Sequence, residues 1–154
     1  MDSNSAGKEQ MNYLDTSCLI KLLRDEPENA SVRQAVDRES EVVVWSLVEL
    51  ETEAHLKAAA AGGEIRATQW RQYRAKLTAM RDFEPFNFRH LPSARFSTAL
   101  RRHRDRQAIY GRAMDRLHLA AMEELKLRWL ITLDEIQGKA DAALGYQVIR
   151  PGRE

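Results

Sequence analysis

Five short apolar runs, each divided from the next by residues in helical spacing, leave this chain few ways to fold. Met11–Leu14, Glu41–Trp45, Phe86–Leu91, Trp129–Thr132 and Tyr146–Ile149 read as strands. Val42-Val43-Val44 carries the β-branched side chains of a strand buried on both faces. Helices are expected over 17–24, 28–38, from Ser46 to the Gly62-Gly63 pair, and over 64–81, 93–108, 112–127 and 134–144. Strands alternating with helices predict an α/β fold with a mainly parallel sheet. Sheets of that kind bind their ligands beyond the carboxyl ends of the strands.

With 154 residues the chain fits one domain, read as 11–152. Residues 1–10 are polar and without pattern, and read as a disordered extension, a tag remnant or an early start before Met11. A net charge of +1 exerts no global pull on nucleic acid or membrane, so any such binding needs a local patch. The single cysteine excludes an internal disulfide framework and fits a reducing cytosol. Cys18 lies in the apolar run Cys18-Leu19-Ile20, as a core residue would. No run approaches the roughly 20 apolar residues of a membrane helix, and no signal peptide is visible. A cytoplasmic location is expected.

Four acids then stand out. Asp15 and Asp134 each follow a strand and precede a helix, where either one alone reads as a helix N-cap. On the helix opened by Ser46, the residues Leu47, Leu50, Ala54 and Ala58 are spaced as an apolar stripe, and Glu51 falls in the same row. A carboxylate turned inward is costly unless it is paired or bound to metal. That places Glu51 ahead as a functional residue, with a buried salt bridge as the alternative. Glu49 completes an S-x-x-E capping box with Ser46, and Glu53 is spaced to pair with Lys57. Asp115 lies at the edge of the stripe Met114, Leu117, His118, Ala121, Met122 and Leu125, where a ligand role and a helix-dipole role are evenly matched. His118, one turn on, reads first as a hydrogen-bonded core residue. Were the four carboxylates to meet at one end of the sheet, only hard cations would make the pocket tolerable, and Mg²⁺ takes oxygen ligands in this way. The pattern points to metal-dependent phosphodiester chemistry.

Arg101, Arg102, His103, Arg104 and Arg106 form a basic cluster that either tracks a phosphate backbone or is a solvated helix face broken by Asp105. Trp45, Trp70 and Trp129 read as packing residues rather than base-stacking platforms.

Four segments in order resemble the PIN-domain ribonucleases, above all the VapC-type toxins of bacterial toxin–antitoxin pairs. They are Tyr13 to Lys21 (YLDTSCLIK), Ser46 to Glu51 (SLVELE), Met114 to Ala120 (MDRLHLA) and Ile131 to Glu135 (ITLDE). Glu26-Pro27, Leu144-Gly145-Tyr146 and Pro151-Gly152 are similar too, so the likeness runs from about 11 to 152. It implies an α/β/α sandwich on a five-stranded sheet and Mg²⁺- or Mn²⁺-dependent endonucleolytic cleavage of RNA. Asp15, Asp115 and Asp134 would then position one or two ions, with Glu51 a ligand directly or through water. Thr16 and Thr132 match the hydroxyl residues that support those acids. Glu49 departs from the family's second motif. The likeness also implies an antitoxin partner and a homodimer.

Other readings belong to other classes. A receiver-type signalling domain also has an acidic Mg²⁺ pocket, but such domains usually carry paired acids after the first strand, and Asp15 has no acidic neighbour. A binding module on the same fold, without catalysis, would not need all four acids. A PIN nuclease that processes RNA without a toxin role shares every residue named above.

Overall fold

The computed structural model describes residues 11–24, 26–104, 113–124 and 126–153, without the side chains of 102, 103, 113–116 and 124. The polar stretch 1–10 and the expected helical ends at 105–108 and 112 lie outside the described residues. The strands are β1 (Met11–Leu14), β2 (Glu41–Trp45), β3 (Phe86–Arg89), β4 (Trp129–Ile131) and β5 (Gln147–Ile149). Seven helices are described: α1 (Thr16–Leu23), α2 (Asn29–Asp37), α3 (Ser46–Ala61), α4 (Ala67–Ala79), α5 (Ala94–Arg104), α6 (Ala113–Glu124) and α7 (Glu135–Ala143). A 3₁₀ turn, Met80–Asp82, completes the stretch expected as one helix over 64–81.

The sheet runs β3-β2-β1-β4-β5, and all four pairings are parallel. Parallel pairs cannot be joined by hairpins, so each connection carries a helix, which is why apolar runs and helical spacing alternate along the sequence. Tyr13, Leu14, Val42, Val43, Val44, Trp45, Leu130 and Ile131 are buried and form the centre of the core. Leu19, Leu22, Leu23, Leu56 and Met122 cover the strands from the helices. A smaller cluster of Leu47, Ala99, Leu117 and Ala120 joins α3, α5 and α6. Helix α3 stops at Gly62, and Gly63 turns the chain at a φ of 79°, a conformation costly for any residue with a Cβ.

The chain winds from β1 outward through β2 to β3, then returns to the other side of β1 for β4 and β5. The order therefore reverses between β1 and β4. Neighbouring loops part at such a point and leave a crevice at the carboxyl ends of the two strands. Helices α1 and α3 begin directly after β1 and β2, and α7 follows β4 after a short turn, which brings their electropositive ends to the same edge.

Candidate active site

Asp15 is where β1 stops. Its N–H continues the ladder by donating to Ile131 O at 3.0 Å, and its carbonyl opens α1 by accepting from Cys18 N and Leu19 N, both at 3.1 Å. The side chain makes no cap hydrogen bond. Two hydroxyls hold it instead: Ser17 Oγ and Thr132 Oγ1 each donate to Oδ2 at 2.8 Å. Their lone pairs are used as well, since Leu133 N donates to Ser17 Oγ at 3.1 Å and Asp134 N to Thr132 Oγ1 at 3.0 Å. A hydroxyl has one hydrogen, so both are committed to Oδ2. Among the described residues nothing donates to Oδ1 and no cation pairs with Asp15, although the residue is only 4% exposed.

Asp134 behaves differently. It caps α7, its Oδ1 accepting from Gln137 N at 3.0 Å, so the cap reading holds for this acid. Its backbone reaches Asp15 through the shared Thr132 hydroxyl.

The spacing argument for Glu51 is corrected by the structure. Leu47 is buried as expected, but Leu50 is 64% exposed, and Ala54 and Ala58 are exposed too. The row that faces the core is Val48, Thr52, Leu56 and Ala59. An Ala- and Leu-rich helix offers more than one apolar row, and the polar Thr52 hid the right one. Glu51 lies at the margin of the buried face with its side chain 28% exposed. Its Oε1 accepts from Thr16 Oγ1 at 3.1 Å and meets His118 Nε2 at 2.6 Å.

His118 is buried, as a core histidine should be, and its hydrogen bonds link the acid to the core. Its Nδ1 meets the hydroxyl of Tyr13, with the two rings edge-to-face at 5.6 Å. Burial raises the Tyr13 pKa well above its ordinary value, and the charges of Asp15, Glu51 and Asp141 push it the same way. Tyr13 therefore keeps its proton.

Two other expectations on α3 fail. The helix has no side-chain cap. Ser46 Oγ is used by Leu91 N at 2.9 Å, and Glu49 turns outward to Arg81, whose Nη2 lies 2.5 Å from each carboxylate oxygen. Glu53 pairs with Arg74 at 2.9 Å rather than with Lys57, because α4 packs alongside.

The structure thus brings Asp15, Thr16, Glu51, Thr132 and Asp134 together at the strand ends. Asp115 lies in the first turn of α6, one turn before His118, and its side chain is outside the described residues. The side chain of Arg102 and the whole of Arg106 lie outside them as well, while Arg101 and Arg104 are exposed on α5. Among the described residues no three of His, Cys, Asp and Glu stand together as a metal-binding group. Sequence reasoning missed the parts played by Ser17 and Tyr13. Ser17 belongs to a visible Asp-Thr-Ser cap signal, but its partner is a backbone N–H from another strand's end. Trp45 is buried in the core and Trp70 packs against its rim, as expected. Cys18 is buried and free, its thiol pushed far above the ordinary range by burial and by Asp15.

Solved structures with this fold include Mycobacterium tuberculosis VapC20, a sarcin–ricin-loop-cleaving toxin. It is 16% identical, with a TM-score of 0.66 over 91% of this chain and 99% of that one. VapBC2 from Rickettsia felis, bound to a DNA fragment from its promoter, is 12% identical with a TM-score of 0.64 over 91% and 98%. FitAcB from Neisseria gonorrhoeae is 16% identical with a TM-score of 0.63 over 94% and 100%. No curated protein sequence matches the chain. The sequence model of the PIN domain matches residues 13–143, from the strand that delivers Asp15 to the end of α7, and the chain belongs to the PIN-domain family.

Proposed function

We propose that this protein is a divalent-metal-dependent endoribonuclease, and that it serves as the toxin of a toxin–antitoxin pair. One observation carries the chemistry. Asp15 is a buried carboxylate with one oxygen locked by two hydroxyls, the other undonated, and no cationic partner among the described residues. An uncompensated buried charge is too costly to keep without a ligand that neutralises it. The residues fit Mg²⁺ or Mn²⁺, because their donors are carboxylate oxygens.

Asp15 through Oδ1, with Glu51, Asp115 and Asp134, would hold the ion. When bound, it would supply water acidified for attack and would offset charge on the phosphate. The chain's own residues prepare the place. Ser17 and Thr132 fix the rotation of the Asp15 carboxylate, Thr16 steadies Glu51, and the helix ends at this edge favour an anionic backbone. Arg101, Arg102, Arg104 and Arg106 would serve as cations for flanking phosphates. The toxin assignment draws on the fold shared with VapC20, VapBC2 and FitAcB, and it brings an antitoxin and a second copy of the chain as expected partners. Among the described residues no helix is long and apolar enough to cross a membrane.

The test is cleavage of a structured RNA mixture with Mg²⁺ or Mn²⁺ and then with EDTA, using wild type beside Asp15→Asn. Cleavage that needs both the metal and Asp15 is expected. Cleavage unchanged in Asp15→Asn overturns the assignment.

A further inference from the structure

The four acids come from four different places in the chain, and one buried side chain links the elements that carry three of them. His118 lies one turn after Asp115 on α6. Its Nε2 reaches Glu51 on α3, and its Nδ1 reaches Tyr13, two residues before Asp15 on β1. It is 2% exposed, so water does not compete for either nitrogen. For a neutral ring the partners also select the tautomer. An ionised carboxylate only accepts, so Nε2 carries the hydrogen toward Glu51. A neutral imidazole then offers only a lone pair at Nδ1, and the Tyr13 hydroxyl supplies the proton that this lone pair accepts. The chain Tyr13 O–H to Nδ1, Nε2–H to Glu51 Oε1, is satisfied at every step, and Thr16 gives that same oxygen a second donor at 3.1 Å.

We infer that His118 is a positioning residue, which with Tyr13 holds Glu51 and the Asp115-bearing turn of α6 in register with Asp15 for metal binding. The inference rests on the metal-site reading above. A salt bridge alone would not need the Tyr13 hydroxyl, whose hydrogen bond to Nδ1 orients the ring while the rest of the side chain packs in the core. A purely structural histidine would not need to aim its one N–H at the margin of the crevice. Partners of metal-binding carboxylates are worth about 10- to 100-fold in metal affinity when removed.

The experiment measures Mn²⁺ affinity by electron paramagnetic resonance on folded protein, with thermal melts as a control for integrity. Wild type is compared with His118→Leu, His118→Gln, Tyr13→Phe and Asp15→Asn. His118→Leu is expected to weaken Mn²⁺ binding about tenfold or more. His118→Gln, which keeps an N–H donor near Nε2, should recover most of that loss, and Tyr13→Phe should lose less than His118→Leu. Equal affinity in His118→Leu and wild type, with binding lost in Asp15→Asn, overturns the inference and leaves the metal site standing. Binding no tighter in wild type than in Asp15→Asn overturns both. A second readout covers a leucine variant that does not fold. ¹⁵N imidazole spectra of metal-free wild type should show His118 as the Nε2–H tautomer, and Mg²⁺ should shift that resonance in wild type but not in Glu51→Gln. The opposite tautomer, or a shift that persists in Glu51→Gln, also overturns the inference.

Discussion

The two ends of the sheet are both acidic, and they differ in what surrounds the acids. At the amino-terminal edge Asp37, Glu39, Glu41 and Glu84 border an open cleft of about 820 Å³ with Pro85, Phe86 and Asn87. Asp37 and Glu84 are exposed there, and Asn12 and Asn87 donate to Glu39 and Glu41 from neutral amides. Water solvates these charges, and nothing needs to neutralise them. At the carboxyl-terminal edge Asp15 is buried, rotationally locked and close to Glu51 through Thr16. An acid count alone would rank the two ends equal. Desolvation combined with fixed orientation distinguishes them, because a charge held away from water lacks the solvation that the exposed acids keep.

Breaking the carboxyl-terminal end should have the largest effect. Asp15→Asn keeps an oxygen to accept from Ser17 and Thr132, so its melting temperature should stay near that of wild type. Metal-dependent stabilisation of charge is worth several kcal/mol, and cleavage should fall about 1,000-fold in a single-turnover assay. Next comes Glu51→Gln, expected to lose about 10- to 100-fold in Mn²⁺ affinity, with cleavage falling alongside. Glu49→Gln, which disturbs only an exposed pair with Arg81, should stay within about twofold. A reversed order would move the metal role from Glu51 to Glu49.

Thr132→Val probes the lock itself. The valine has the same shape but neither donates to Asp15 nor accepts from Asp134 N, so urea unfolding should show a loss of about 1–3 kcal/mol. Alkaline pH tests the same buried end through its neutral groups. Both the Cys18 thiol and the Tyr13 phenol have raised pKa values in the folded chain. In the unfolded chain they release protons near pH 8.5 and 10, while the folded forms keep them. Stability should therefore be complete below about pH 8.5 and decline above it. Cys18→Ala should remove the earlier part of the decline and Tyr13→Phe the later part. The smallest effect belongs to the other end: Glu84→Gln should change stability by no more than about 0.5 kcal/mol and leave cleavage unaltered.

Much of this contrast is legible in the sequence. The valine run, the cap residues and the two glycines marked element ends to within a few residues, because strands and helices announce themselves through local periodicity. The placement of Asp15 and Asp134 beyond strand ends followed from topology alone. The row on α3 did not, since several apolar rows compete on that helix and only packing against the sheet chooses among them. Nor did the Ser17, Tyr13 and His118 contacts, whose partners lie on distant segments. Asp15 and Asp134 looked interchangeable in sequence. One proved to be a cap and the other a carboxylate held by Ser17 and Thr132, and those partners tell them apart.

The placement of β1 between β2 and β4 has a consequence for the order in which the protein comes into being. The Thr132 hydroxyl that orients Asp15 lies 117 residues further along the chain. On the ribosome Asp15 emerges early, yet the strand that completes its surroundings is made near the end. Pairings of such long sequence separation close late in folding. A nascent chain that stops short of β4 therefore has the first acid but not the hydroxyl that orients it, so the surroundings of Asp15 are complete only when synthesis of the domain is nearly finished.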